Sequence, residues 1–540
     1  MSALTTLRVS CVQLAARDAG QAAVALERAL EAVDEAAGHG SDLILLPECV
    51  YPAYYLRPWL DRRDHYPDLE HALEQFCARA ARHRAWVCVG LVEENEGALY
   101  NTAFLIDRRG SVAGKARKHF LWHFDSAWFR PGHKFDIFEV DARAGGSVSV
   151  GMFVCADGRL PEVARALALR GATLLLDPTN WVTYGRDTAL LTNPQAEFMM
   201  SCRALENSVY IACANKIGME KGSVLYCGRS LVVGPGGETL AMASADQEEI
   251  LTCELGPFGP GGPVDGRLHP LLDRRPGVYG QLVEPTAPSL PSPAGTGPFF
   301  VALVQLELEP PGALERACEY ARVMEEQGAD LVVLGEPSPS AGWDAGEVLP
   351  SLAGVLGNDR TMVAVTALET AGRDKYKTLF LANRKRLLGS YRKVHLESDE
   401  RETLLPGDHL GVLETGSLKL GSMLGYEGLL PEVARVLALQ GADVVLWPRR
   451  MAGPDYTGVA RTRAAENRVF VAVADNLASG SGFSAVADPS GRLLAPALVG
   501  TEQATLASLL VADARAKLVA PGTDPLRGRN PGCYRTLVSN

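Results

Sequence analysis

Apolar residues in the first half of the chain fall into two kinds of run. Short ones, rich in Val, Ile and Leu and bounded by Gly, Pro or polar clusters, occur at LRVSCVQL, DLILLPE, WVCVGLV, SVSVGMFVC and TLLLDP; their length and continuity predict buried strands. Between some of them lie longer Ala-rich periodic stretches: AAVALERALEAVDEAAGHG, LEHALEQFCARAARHRA and PEVARALALRGA. These predict helices, the last opening with Pro161 in its first turn and ending at Gly171. Strands and helices in alternation, with a few consecutive strands, predict an α/β layered domain with helices outside the sheets.

The pattern then recurs. PEVARALALRGA at 161–172 returns as PEVARVLALQGA at 431–442 with two differences in twelve positions. In the same order VSCVQL pairs with VALVQL, DLILLPE with DLVVLGE, RALEN (203–207) with RAAEN (463–467), VVGPGGETLA with VADPSGRLLA, and RRPGVYGQLV (274–283) with RNPGCYRTLV (529–538). The chain is therefore two copies of one domain. EPTAPSLPSPAGTGP (284–298) resists regular structure and marks a linker, which sets the expected domains at 1–285 and 299–540 with a linker at 286–298. The stretch GPFGPGGPVDG (256–266) precedes a repeated motif and is expected to be a loop inside the first domain.

Composition narrows the function classes. At 540 residues, 47% hydrophobic and 22% charged, the chain can bury two sizeable cores. A net charge of -11 argues against a nucleic acid partner, which needs clustered cations. No apolar run reaches a membrane-spanning length and the start lacks a secretory pattern, so a cytoplasmic protein with no membrane partner is expected. Eleven cysteines, odd in number and free of CxxC spacing, argue against a disulfide framework or a structural zinc.

One of those cysteines carries candidate chemistry. Cys155 in SVGMFVCADGRLPE ends an apolar strand and lies shortly before a helix start. Such an elbow lifts a side chain out of the sheet and aims the following N–H groups, beginning with that of Ala156, at the space above it. Alone, the residue reads first as a buried small hydrophobe. Its company changes that. Glu48 after DLILLP, Lys118 in KARKHFLW and Cys155 before ADGRLPE, together with RALEN, ANKIG, GPGGETLA and RRPGVY, resemble the nitrilase superfamily of amidases, carbamoylases and nitrilases across nearly all of both halves.

The resemblance implies an α-β-β-α sandwich in each copy and a set of roles. Glu48 would take the thiol proton and later activate water; Lys118 would favour the thiolate and stabilise the tetrahedral intermediate; Cys155 would attack the amide carbon and form a thioester. It implies no metal and no organic cofactor. Where many members carry a second glutamate, seven residues after the lysine, this chain has Asp125, with Gly132 seven further on, and His119 follows Lys118 directly. Asp125 is a candidate supporting residue. Tyr51, Tyr54, Tyr55 and Trp59 fall in a segment where the first copy has 13 extra residues, since Glu336 follows Glu48 by 288 and Lys393 follows Lys118 by 275. They are candidates for the pocket rim, and Trp181 in DPTNW is a candidate substrate contact.

In the second copy Glu336, Lys393 and Glu400 stand in family order, but Gly425 stands opposite Cys155. Glycine cannot attack, so this site is expected to be degenerate. Family members commonly pair through a two-fold interface, which points to an internal pseudo-dimer with one live site; whether whole chains associate further is left open. The expected reaction is hydrolysis of a small carboxamide or N-carbamoyl compound, the CADG context being more like amidases than nitrilases. The alternatives are nitrile hydrolysis, acyl transfer from the thioester, or a non-catalytic scaffold.

Overall fold

A computed structural model of the chain describes residues 5–60, 69–183, 190–258, 270–285, 297–416, 418–450, 456–480 and 482–539. Most of the expected linker, most of the 256–266 loop and the side chain of Trp59 fall outside these residues. Among the described residues no helix is long and apolar enough to cross a membrane, and all eleven cysteines are free, seven of them buried.

By internal packing the chain forms two compact units. The first comprises residues 1–264 with 520–523 and 528–537, and the second 265–519 with 524–527 and 538–540. Each is an α-β-β-α sandwich.

In the first unit one sheet centres on β1 (Thr5–Ala15), followed sideways by β2 (Leu43–Leu45), β3 (Trp86–Asn95), β4 (Ala98–Ile106) and β5 (Val112–Arg117). The strands from β1 to β3 run parallel, β4 and β5 antiparallel, and Glu249–Phe258 closes the other side of β1 antiparallel. Helices α1 (Ala22–Gly38) and α2 (Leu69–His83) cover its outer face. The apolar stripe Leu26, Ala29, Leu30, Val33 of α1 and Ala72, Phe76, Ala80 of α2 meets Val12, Ile44, Val87 and Val89 in one buried cluster, which is the reason those periodic sequences fold as helices here.

The second sheet runs β6 (Ile137–Asp141), β7 (Ser147–Met152), β8 (Leu174–Pro178), β9 (Tyr210–Ala214), then Leu231–Val233 and Thr239–Met242. Its helices are α3 (Pro161–Leu169), with Pro at its first turn and Gly171 at φ 102° just past its end, and α4 (Met200–Asn207). The inner faces of the two sheets meet, with Cys88 Sγ 3.7 Å from Met152 Sδ. The second unit repeats the plan with sheets on Phe299–Gln305 and on Val444–Arg449.

The repeated segments RRPGVYGQLV and RNPGCYRTLV each dock on the unit that does not contain the rest of their own repeat. Arg529 lies 3.7 Å from Glu162 on α3, the Cys533 thiol meets His133 O, and Tyr534 stacks on Phe135. In the second unit Arg274 pairs with Glu432 at 2.8 Å, and the Tyr279 hydroxyl meets His395 Nε2 at 2.7 Å.

Candidate active site

The strand that ends at Cys155 does so abruptly. After β7, Phe153 and Val154 lead into a short 3-10 turn, Cys155–Arg159, and Cys155 itself sits at φ 51°. A non-glycine residue is held in the left-handed region only where its surroundings insist. Here the Cys155 N–H donates to Asp177 Oδ1 at 2.6 Å, and its carbonyl accepts from Gln195 Nε2 at 2.7 Å. The turn is fixed from below by Asp157, which accepts from the backbone of Val154, His119 and Phe120. Asp157 therefore ties the turn that carries Cys155 to the segment that carries Lys118. Burial pushes its carboxyl up to about 7. Arg203, buried in the RALEN motif, donates to the carbonyls of Gly158 and Arg159 and to Glu206.

Glu48, Lys118 and Asp125 come together with no exposed surface. Lys118 Nζ lies 2.8 Å from Glu48 Oε1 and 2.7 Å from Asp125 Oδ2. Asn101 on β4 donates to the same Glu48 oxygen at 2.5 Å. Asp125 Oδ2 also accepts from the Trp122 N–H, closing the turn that positions it. Gly132 permits this packing, because a Cβ there would lie 2.3 Å from Arg117 O.

Electrostatics follows from burial. Burial raises Glu48 above the ordinary carboxyl range, with Lys118 opposing and Asp125 reinforcing. Burial works against the Lys118 ammonium, but Asp125 and Glu48 reverse it and hold the group well above its usual value. Burial also drives the Cys155 thiol up, Glu48 adds to this, and Lys118 opposes. Lys118 thus acts in the expected direction, toward the thiolate, but desolvation outweighs one ammonium already engaged by two carboxylates. The resting sulfur is a thiol beside a carboxyl group of raised proton affinity.

A profile of carbon-nitrogen hydrolases matches residues 8–257 and again 300–519. The chain belongs to the carbon-nitrogen hydrolase family. A protein named nitrilase from Pyrococcus abyssi is 32% identical over 235 residues, 42% of this chain and 82% of that protein. An (R)-stereoselective amidase of a Pseudomonas species is 30% identical over 243 residues, 45% of this chain and 82% of its own length. The crystal structure of an amidase from a Nesterenkonia species is 25% identical, with 51% of this chain and 95% of that one covered at a TM-score of 0.43.

The remaining candidates of this carbon-nitrogen hydrolase divide. Tyr54 is buried with its ring 5.6 Å from Lys118 Nζ and 5.0 Å from Phe124, so it belongs to the wall of the site. Tyr51 packs in the outer helix-sheet core and is not a rim residue. Tyr55 is half-buried against Phe124 and Trp128. Trp181 is buried, its N–H fixed by Asn215 Oδ1 and its indole nitrogen without a partner. Ala156 is buried in the first turn after Cys155, where backbone N–H groups lack intrahelical acceptors. His119 serves structure: its ring stacks on Phe135, its Nε2 meets Lys134 O, and burial lowers it to about 4.

Sequence reading passed over Asn101, Thr179, Asp177 and Asp157. Thr179 Oγ1 faces the Cys155 sulfur and favours its anion. The signal for Asn101 lay in the repeat, where YNTAFL is matched by YKTLFL at 376–381.

In the second unit the same positions build an ion-pair cluster. Lys393 Nζ lies 3.1 Å from Glu336, 2.9 Å from Glu397 and 2.9 Å from Glu400. Lys377, in the place of Asn101, lies 2.7 Å from Glu336 and 2.5 Å from Glu400. The three carboxylates approach one another within 4.8 Å, and two ammonium groups supply the cation there. Gly425, at φ 47°, keeps the turn of Cys155 without its side chain; a Cβ would lie 2.5 Å from Glu336 Oε2 and 2.7 Å from Glu397 Oε1.

Proposed function

We propose that the first unit hydrolyses the C–N bond of a small carboxamide or N-carbamoyl compound through a thioester on Cys155, and that the second unit has no catalytic turnover. The reading is carried by one arrangement: a buried ammonium held between Glu48 and Asp125, next to a thiol on a strained turn. Glu48 accepts the thiol proton as sulfur attacks the carbonyl carbon, which suits a carboxyl group whose proton affinity burial has raised. The developing oxyanion is stabilised by Lys118 and the Ala156 N–H. Collapse expels ammonia or an amine, which takes the proton from Glu48. Water, deprotonated by Glu48, then cleaves the thioester and releases the acid. Asp125, Asn101 and Tyr54 hold Glu48 and Lys118 in place. Trp181 is proposed to contact the substrate.

Ammonia release from a panel of amides, ureido acids and nitriles, measured beside Cys155→Ala, tests this. Turnover of an amide or ureido acid that disappears in the variant supports it, and turnover that persists removes the thiol from the mechanism. Nitrile hydrolysis is the second reading, favoured by the nitrilase relative; with a nitrile as the preferred substrate it replaces the first. Product analysis separates free acid from an acyl conjugate. No turnover of any compound favours a scaffold.

The fused second copy is proposed to serve as a built-in partner for the first. Supporting this, residues 520–523 and 528–537 complete the first unit, so a chain ending at 285 lacks part of its packing. Full activity from residues 1–285 alone would remove the reason for the second copy.

A further inference from the structure

The first unit has a small cleft, with neither Glu48 nor Cys155 in its lining, formed by Leu14, Ala15, Arg17, Arg28, Cys49 and Lys216, among others. Its lining carries three cations and no carboxylate. Arg28 is satisfied by Glu35 and Glu248 at the edge. Arg17 has no ion pair or hydrogen bond among the described residues. Lys216 is 4% exposed, and its ammonium donates to one acceptor, Cys49 O, at 2.9 Å, over the ring of Tyr226. An ammonium has three N–H groups to satisfy, and a buried cation without a counter-charge is costly.

The duplicated fold shows what completes such a place. VSCVQL and VALVQL align Arg17 with Glu309, and the bridges Leu14 to Lys216 and Leu306 to Asn476 align Lys216 with Asn476. In the second unit the Glu309 carboxylate sits in this position: Asn476 Nδ2 donates to both its oxygens at 3.1 Å, and the Ser338 N–H donates to Oε1 at 3.1 Å. Asn476 Nδ2 also donates to Glu336 O at 2.9 Å, one residue before the position that corresponds to Cys49, whose carbonyl Lys216 reaches. One unit thus carries its own carboxylate on this segment, and the other presents two cations to an open cleft.

We infer that the first unit binds a small carboxylate between Arg17 and Lys216, in the place that the Glu309 side chain fills in the second. The ligand would sit on the backbone that carries Glu48, since Lys216 holds the carbonyl of the next residue. This site does not depend on the proposed reaction, because its binding is read without turnover.

Acetate is titrated calorimetrically into the full chain in chloride buffer of constant ionic strength, in parallel with inorganic phosphate. The expected result is saturable binding of one acetate per chain, lost in Lys216→Gln and in Arg17→Glu. Arg17→Glu supplies the tethered carboxylate, so its melting temperature without acetate should rise by about 2–4 °C, and acetate should raise wild type by a similar amount near saturation. If Lys216→Gln does not fold, Arg17→Glu alone decides. Equal acetate binding by wild type and Arg17→Glu overturns the inference, as does binding of phosphate without acetate.

Discussion

Replacing Lys118 by Met keeps the length of the side chain and deletes the charge between two carboxyl groups with no exposure. In wild type the ammonium lies 2.8 Å from Glu48 and 2.7 Å from Asp125. Removing one member of a buried ionic cluster costs about 3–5 kcal/mol when the others stay charged. They need not both stay charged. Burial already raises Glu48 and Asp125 raises it further; without Lys118 nothing opposes either effect, and one carboxyl keeps its proton. A group whose folded pKa is raised contributes its stability at low pH and loses it as pH climbs through that value. The deficit of Lys118→Met should therefore be small at acidic pH, in the ordinary carboxyl range, and grow toward the full figure as pH rises above it. Adding Asp125→Asn removes the repelling partner and should recover about 2 kcal/mol at pH 8. Urea denaturation of the full chain, followed by tryptophan fluorescence at three pH values, reads both effects. Turnover should fall about 100-fold or more, as for loss of an oxyanion donor. A deficit that does not change with pH, or a double variant that simply adds the two single losses, refutes the electrostatic reading of this cluster.

Three further outcomes are expected. Gly425→Cys should create no second active site: ammonia release from Gly425→Cys/Cys155→Ala should stay at the level of Cys155→Ala, because Glu336 and Glu397 occupy the space a side chain needs. Removal of residues 520–540 deletes the contacts of Thr523 with His123, Arg529 with Glu162 and Tyr534 with Phe135; turnover by the first unit should be lost and its protection from hydrogen exchange around 119–135 should fall. Asp157, raised by burial to about 7, stabilises the fold while protonated, so its contribution is lost as pH rises from about 4 to about 7, by up to about 1.4 kcal/mol per pH unit. Asp157→Asn should flatten stability over that window in a denaturation series.

What the sequence could tell depended on whether a feature is local. The helices at 22–38 and 69–83 were readable because one face of each is apolar at a period of 3.6; Cys155 stood out only through the resemblance that Glu48, Lys118 and the flanking motifs carry together. Pairing of β1 with Glu249–Phe258 lies some 240 residues away along the chain and leaves no trace in either segment. The residues that complete the site are of common types in common settings: Asn101 inside a strand and Thr179 after Asp-Pro differ from ordinary residues only by what they face. The docking of the two terminal motifs was illegible for a different reason. RRPGVYGQLV and RNPGCYRTLV carry the same Arg and Tyr, and PEVAR carries its glutamate in both copies, so either motif fits either unit. Similarity of repeats reveals kinship and not which copy each segment joins.

Around Gly425 the second unit differs from the first at several positions at once. With Gly425 in place of Cys155, Glu336 has no thiol opposite it, and its carboxylate is buried with Lys393 and Glu400. Buried charges must be balanced or expelled. Lys377 replaces a neutral Asn101, Glu397 replaces Trp122, and Arg450, whose pKa rises under the charge of Glu336 and Glu397 against the opposing effect of burial, replaces Asn180. Together these added charges build an ion-pair network where the first unit has neutral side chains. Both units keep buried polar atoms without partners: Glu48 Oε2, Asp125 Oδ1, the Asn180 amide and the Trp181 indole nitrogen in the first, and Glu336 Oε2 and Arg450 Nε in the second. The first unit leaves a neutral amide and an indole N–H in its wall, groups a ligand can satisfy, where the second places charged side chains, so the two units differ in the charge of what they leave unpaired.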